Sequence, residues 1–267
     1  MSDKNAAPKA PWYATYFGFH YLAIYSSHLL RPMETGWEAE FIGTQLRLKA
    51  GAKVLDVPCG FGRHLLRLAR AGFRPFGLDL QFPYLLYARQ LTADPALPPI
   101  PTTQGDMSRL PFTAASFDAL ACLFNSFGYF PDEPREAAGG ATNRGVLAEF
   151  ARVLKPGGKI LLDVPDREAL KEAIEFKDRT HCAGEDWEII ERWSFDEKTN
   201  RVHNETRFVL NGQPHDTGYD MRLYVREELE EELRRAGLAP WRFWNDLHRD
   251  AGDSPGERLV IAAIKDN

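Results

Sequence analysis

The chain has 267 residues, with 33 basic against 38 acidic side chains and a formal net charge of −5, a size suited to one large domain or one domain with an insertion. At 44% hydrophobic and 27% charged, with 21 glycines and 18 prolines, the composition excludes a disordered, collagen-like or disulfide-scaffold protein. The acidic balance offers no basic field to draw nucleic acid or an anionic membrane, so neither is an expected partner.

A polar arm over 1–10 lacks the apolar run of a secretory signal. It is followed by WYATYFGFHYLAIYSSHLL (12–30), which contains no Asp, Glu, Lys or Arg. That length approaches a membrane span. Its four tyrosines, two histidines, three hydroxyl residues and one glycine make it too polar for one, and the expected compartment is the cytoplasm. Cys59, Cys122 and Cys182 form no CxxC pair, which points to free thiols and to neither a disulfide framework nor a metal site.

A helix is predicted over 35–48, with Trp37, Phe41, Ile42, Leu46 and Leu48 on a roughly helical period. From residue 53 short apolar runs alternate with helical patterns. KVLDV (53–57), RPFGLDL (74–80), a short run before Gly105, FDALACLFN (117–125) and KILLDV (159–164) read as strands. RHLLRLARA (63–71), PYLLYARQL (83–91) and GVLAEFARVL (145–154) read as the helices between them. Such alternation predicts a parallel sheet with helices on both faces. Residues 187–224 break the rhythm with three strand-like runs divided by DEKTN and by Asn211-Gly212, a hairpin dipeptide. They predict an antiparallel β-meander inserted into an α/β chain. A charged helix (226–237) and two strands, near 240–247 and 258–264, complete the reading.

The chemistry begins at VLDVPCGFGRH, 54–64. Gly60 and Gly62 let the backbone turn tightly between a strand and a helix and approach a ligand at the helix N-terminus. A dinucleotide loop would want a third glycine where Leu65 stands. Asp56 places a carboxylate ahead of the glycines, which would repel a pyrophosphate and hold an ammonium or sulfonium group. Asp79, closing the next strand, is suited to accept two ribose hydroxyls. Asp106 follows the strand after that and is placed to accept the exocyclic amine of adenine. One such acid reads equally well as a turn or cap residue. Three, each at the carboxyl end of a successive strand, mark a ligand crevice.

The series VLDVPCGFGRH, FGLDL, GDMSRLPF, FDALACLFNSFGYF and LKPGGKILLDV resembles the motif series of class I S-adenosylmethionine-dependent methyltransferases across 54–165. More loosely, the chain is similar to a bacterial subgroup of small-molecule type with NSFGYF after the fourth strand and a β-insert after the fifth. That subgroup also has a helix beginning like RLYVREEL (222–229) and a late segment like DSPGERLVIAA (253–263). The resemblance implies a Rossmann-like, doubly wound, mostly parallel seven-stranded sheet. It divides the chain into an aromatic and helical cap (1–50), a cofactor domain (51–178 and 225–267) and an antiparallel insert (179–224) for substrate or oligomerisation. Pro58, where most members have glycine, and a long 133–142 segment depart from the family pattern.

By the same resemblance Asp56, Pro58, Cys59, Gly60 and Gly62 would line the methionine and ribose side of S-adenosyl-L-methionine. Asp79 and Leu80 would meet the ribose and adenine, and Asp106 and Met107 the adenine edge and face. Phe124 and Asn125 would lie beside the methyl group, with Tyr13, Tyr16 and Tyr25 folding over the cofactor. Ser126, Tyr129, His28 and Trp193 are the candidates on the acceptor side.

Methyl transfer is an in-line displacement whose thioether leaving group (S-adenosyl-L-homocysteine) needs no protonation, so proximity and water exclusion carry much of the catalysis. A general base is required only for an acceptor protonated at neutral pH. His20, His28 and His64 are nearest in sequence, and for each the plainer reading is a buried, hydrogen-bonded histidine. No catalytic group is assigned. The expected function is methyl transfer to a small molecule, with a homodimer as a further expectation. The alternatives are a catalytically idle cofactor-binding sensor or scaffold, and a nicotinamide-dependent oxidoreductase, which Leu65 and Asp56 oppose.

Overall fold

A computed structural model describes residues 11–29, 32–135, 139–247 and 257–266, the side chains of 26–29 and 32 excepted. In chain order its helices are α1 (Trp12–Tyr16), α2 (Phe19–Leu29), α3 (Pro32–Gln45), α4 (Arg63–Arg70), α5 (Phe82–Leu91), α6 (Asn143–Val153), α7 (Arg167–Phe176) and α8 (Arg226–Arg235). The strands are β1 (Lys53–Asp56), β2 (Arg74–Asp79), β3 (Thr102–Gln104), β4 (Phe117–Cys122), β5 (Leu154–Pro165), β6 (Arg179–Ala183), β7 (Trp187–Asp196), β8 (Arg201–Leu210), β9 (Gln213–Arg222), β10 (Leu238–Trp244) and β11 (Arg258–Lys265).

Seven strands form one sheet in the order β10-β11-β5-β4-β1-β2-β3. It is parallel except at β11, which runs antiparallel to both β5 and β10. The apolar runs of β1, β4 and β5 are buried because both faces are covered. Alternate residues point to opposite sides. Leu55, Leu120, Cys122, Ile160 and Leu162 pack with Val146 and Phe150 of α6 and Leu229 and Leu233 of α8. Val54, Ala119, Ala121 and Leu161 pack with Phe41 and Ile42 of α3 and Leu68 of α4. This is the doubly wound α/β arrangement that the alternating pattern predicts.

Between β1 and β4 the strand order reverses, since β2 and β3 lie on one side of β1 and β4 on the other. A crevice opens at such a switch point beyond the carboxyl ends of the strands. Asp56, Asp79 and the residues after β4 stand at that rim.

The insert is a second sheet, in the order β6-β7-β8-β9 and antiparallel throughout. It holds four strands where three are predicted. β6, RTHCA, is mostly exposed and has no apolar alternation, so its strand character comes from backbone pairing with β7. α7 is also absent from the sequence reading, although Asp166 caps it by accepting the Ala169 N–H at 3.0 Å. Helix α3 starts earlier and ends earlier than 35–48, and Arg47, with φ 48°, marks the exit. The run 117–125 stops being a strand at Cys122, because Phe124 and Asn125 both take φ 57°. None of the described helices is long and apolar enough to cross a membrane.

Candidate active site

Strand β1 delivers Asp56 to the sheet rim, and the chain then turns through Pro58, Cys59 and Gly60 to Gly62, which precedes α4 in a left-handed conformation (φ 76°). A Cβ on Gly62 would stand 2.8 Å from the Cβ of Ala88, so this glycine permits α4 and α5 to approach. Gly60 also has positive φ, 51°, but a Cβ there would meet nothing within 4 Å. It faces open space.

That space is a cavity of about 430 Å³. From the glycine loop it is lined by Asp56, Pro58, Cys59 and Gly60, and from the ends of β2 and β3 by Asp79, Leu80, Asp106 and Met107. Phe124, Asn125, Ser126 and Tyr129 line it after β4, and Tyr13, Tyr16 and Tyr25 from α1 and α2. Two expected residues are corrected. Gly62 is not on the wall, since its role is the helix approach just described. Trp193 is not there either: its Nε1 donates to the Tyr219 hydroxyl at 3.1 Å, and the insert instead presents Glu191, Tyr219 and Met221. The His28 side chain lies outside the described residues.

The α1 segment is fastened to the rim. Gln81 Nε2 donates to the Ala14 carbonyl at 2.8 Å, and Trp12 meets Tyr129 edge-on at 4.8 Å. His20 stacks on His215 of the insert at 4.4 Å, away from the cavity lining. His64 does line the cavity but is committed, its Nε2 lying 2.9 Å from Glu38. Burial and the neighbouring Arg63 charge lower its pKa, so it is neutral at physiological pH.

The charged groups of the wall are held out of water. Burial pushes the Asp56 carboxyl up to about 8, opposed by Arg63 and reinforced by Asp79 and Glu38. Burial raises Asp79 to about 6, although the backbone N–H groups of Gln81 and Gly60, among others, pull it down. Tyr13 is pushed up to about 12 by burial and by Asp106. Asp106 itself accepts the Ser108 N–H at 2.8 Å.

The sequence reading misses Arg63, Tyr84, Glu191 and Tyr219, all on the cavity wall. Arg63 donates through Nη1 to Glu38 and Thr35, and its guanidinium lies 4.0 Å from the centre of the Phe124 ring. Among the described residues, five buried side-chain polar atoms have no hydrogen-bond partner. Four belong to the cavity wall: Asp56 Oδ2, Arg63 Nη2, Tyr84 Oη and Asn125 Oδ1. Buried polar atoms are ordinarily satisfied, so this concentration marks a place where a ligand supplies the partners.

A family profile described as a methyltransferase domain matches residues 54–158. The chain is 31% identical over 222 residues to YqeM of Bacillus subtilis (strain 168), a protein with a provisional methyltransferase name, covering 80% of this chain and 84% of YqeM. The chain belongs to the class I S-adenosylmethionine-dependent methyltransferases. This methyltransferase shares its fold with a solved S-adenosylmethionine-dependent methyltransferase from Clostridium acetobutylicum ATCC 824 (TM-score 0.74, 18% identity, 92% of this chain and 98% of that one). It also shares it with CalS10 of Micromonospora echinaspora, an amino pentose methyltransferase solved with S-adenosylmethionine bound (TM-score 0.62, 22% identity, 92% and 98%). Membership of that family makes S-adenosylmethionine the methyl donor. The family leaves the acceptor open.

Proposed function

We propose that this methyltransferase acts on a small-molecule acceptor, with donor and acceptor sharing the cavity beneath α1, α2 and the insert. The observation that carries the reading is the pair of buried atoms without a hydrogen-bond partner on one wall, Asp56 Oδ2 and Arg63 Nη2. One is a carboxylate oxygen and the other a guanidinium nitrogen, and a cofactor ending in an α-amino acid needs both: an acceptor for its ammonium and a donor for its carboxylate. A phosphate-bearing cofactor would find the Asp56 carboxylate repulsive. The residues present therefore fit S-adenosylmethionine.

In this reading Asp79 holds the ribose hydroxyls, Leu80 and Met107 pack on the adenine, and Asp106 meets its amine. Pro58 and Cys59 form the floor of the glycine loop, and Gly60 leaves it without a side chain. When bound, the cofactor supplies an electrophilic methyl carbon on sulfonium sulfur. The chain's own contribution is to align the reactants and exclude water. Phe124 and Asn125 sit where methyl transfer would take place, in left-handed backbone conformations that cost of order 1–3 kcal/mol each. That conformation is held by the Phe124 N–H, which donates to Asp163 Oδ2 at 2.8 Å, and by the Asn125 N–H, which donates to the Asp163 carbonyl at 3.2 Å. Strain maintained at this point is consistent with a positioning role.

A cavity of about 430 Å³ lies in the range of small-ligand sites, and its carboxylates would repel a nucleic-acid backbone. Titration calorimetry with S-adenosylmethionine and S-adenosylhomocysteine tests the assignment. Both should bind wild type at micromolar concentration, and Arg63→Met should weaken both. Equal affinity in wild type and Arg63→Met would refute the assignment of this wall to the amino acid end.

A further inference from the structure

We propose that the inner face of the inserted sheet is an ammonium-binding acceptor subsite, in which Glu191 and surrounding tyrosines select an amine, making this an N-methyltransferase. The inference rests on the cofactor reading above, which uses Asp56, Asp79, Asp106 and Arg63 and leaves one charged group of the wall without a task. That group is Glu191.

Its position follows from register. On β7, Ile189, Glu191 and Trp193 alternate onto one face, and Ile189 packs against Phe208 in the cluster built by Tyr16 and Ile24 of α1 and α2. Glu191 is paired with Thr180 on β6 and Thr206 on β8, so its carboxylate shares this inward face. Tyr16, Tyr21, Tyr25 and Tyr219 all feel its charge. These rings form a continuous wall: Tyr16 to Tyr21 at 5.6 Å, Tyr21 to Tyr25 at 4.5 Å and Tyr16 to Tyr219 at 5.3 Å between centroids. All four tyrosines and Glu191 line the cavity.

No ion pair among the described residues includes Glu191. Asn204 Nδ2 donates to it at 3.4 Å and Thr180 Oγ1 at 3.5 Å, both long, and Thr206 adds a further side-chain hydrogen bond. A half-buried carboxylate met by neutral donors and no cation is costly unless a cation completes it. Burial accordingly raises its pKa above the ordinary glutamate value. Asp56 is mostly protonated at pH 7 until a ligand completes it, which leaves the acids Asp79, Asp106 and Glu191 of the cavity facing the single guanidinium of Arg63. Such a field concentrates cations. Tyrosine faces add cation–π attraction, which favours an organic ammonium over an acidic or phosphorylated acceptor.

The chemistry balances. An acceptor R–NH3⁺ loses one proton to the Glu191 carboxylate, becoming R–NH2. The nitrogen lone pair then forms the C–N bond to the methyl carbon while the C–S electron pair leaves with the neutral thioether. The product R–NH2CH3⁺ carries the positive charge that the sulfonium gave up.

The test uses two isosteric probes, choline and 3,3-dimethylbutan-1-ol, which differ in charge alone. Each is titrated into the full-length protein saturated with S-adenosylhomocysteine. Wild type should bind choline about tenfold more tightly than the alcohol, a margin set by charge and cation–π attraction. Glu191→Gln should erase that preference while its affinity for S-adenosylhomocysteine stays unchanged, which also shows that the variant folds. Equal binding of the two probes by wild type, or a preference that survives Glu191→Gln, would overturn the subsite. A wild type that fails to bind S-adenosylhomocysteine would overturn the cofactor reading beneath it. As a second arm, labelled methyl from S-adenosylmethionine should appear on members of an amine panel, and label on phenols or thiols alone would overturn the assignment.

Discussion

Asp79 Oδ2 accepts the backbone N–H of Gly60 at 2.8 Å, so the acid that ends β2 braces the glycine loop that follows β1. Its other oxygen accepts the Gln81 N–H at 2.8 Å, and the Gln81 side chain reaches the Ala14 carbonyl. One carboxylate thus links the loop, the start of α5 and the α1 cover. A residue read from sequence as a ligand for ribose is also a strut of its own site.

Asp79→Ala should therefore act twice. Loss of a charge-assisted acceptor should weaken S-adenosylmethionine binding by about 1.5–3 kcal/mol. The orphaned Gly60 N–H should also lower the melting temperature of the free protein. Calorimetry and thermal denaturation read the two effects separately, and unchanged cofactor affinity would remove Asp79 from the site.

The two glycines of the loop should separate stability from binding. Gly62→Ala forces a Cβ to within 2.8 Å of Ala88 in a left-handed conformation. Overpacking of this kind costs about 1–3 kcal/mol, which urea denaturation should detect. Gly60→Ala meets no atom within 4 Å and bears only the left-handed penalty of roughly 1–2 kcal/mol. Its methyl group enters the cavity, so cofactor affinity should fall further for Gly60→Ala than for Gly62→Ala. The reverse order would mean that Gly60 does not face the cofactor.

The sheet was legible because continuous apolar runs such as FDALAC admit little besides a strand covered on both faces. Asp56, Asp79 and Asp106 were legible because strand ends in an open sheet converge on one rim. Arg63 was not, because an arginine opening a helix reads as a solvated residue until Glu38, 25 positions earlier, is seen to hold it. Glu191 did carry a signal: period-two alternation from Ile189 to Trp193 puts it on the inward face. Trp193 is the more conspicuous residue by aromatic area, yet its indole N–H is spent on Tyr219. β6 had no apolar pattern to read at all. The α7 cap, Asp166, is readable in sequence as an acid placed before a helical run.

Glu38 holds the wall from behind. It accepts Arg63 Nη1 and contacts His64 Nε2, and all three side chains are largely buried. Burial works against its ionised form, but the hydrogen bond from His64 and the charge and hydrogen bond of Arg63 outweigh this, so its pKa lies below the ordinary value. The stability it contributes is present above the unfolded glutamate pKa and is lost as pH falls through the lower folded value. Glu38→Ala strips a buried guanidinium of its carboxylate, a change that typically costs about 3–5 kcal/mol. Chemical denaturation at pH 7 should show that loss. A variant as stable as wild type would mean that the Arg63 charge is satisfied by other groups.

Asp56 should make both stability and cofactor binding depend on pH, in a direction set by its folded pKa of about 8. The unfolded carboxyl titrates at ~3.9, so between these values the folded state binds the additional proton. The Asp56 contribution is then fully favourable below about pH 4 and declines as pH rises toward 8. Asp56→Asn removes the decline, and its melting temperature should exceed that of wild type more at pH 8 than at pH 5. Asp79, at about 6, is mostly ionised at pH 7, whereas Asp56 is mostly protonated. A cationic ligand completing Asp56 Oδ2 favours its carboxylate, so S-adenosylmethionine binding at pH 7 should expel close to one proton from wild type and almost none from Asp56→Asn. Titrations in phosphate and Tris, whose ionisation enthalpies differ, measure that number. A wild type that releases no proton would place the cofactor's charge away from Asp56.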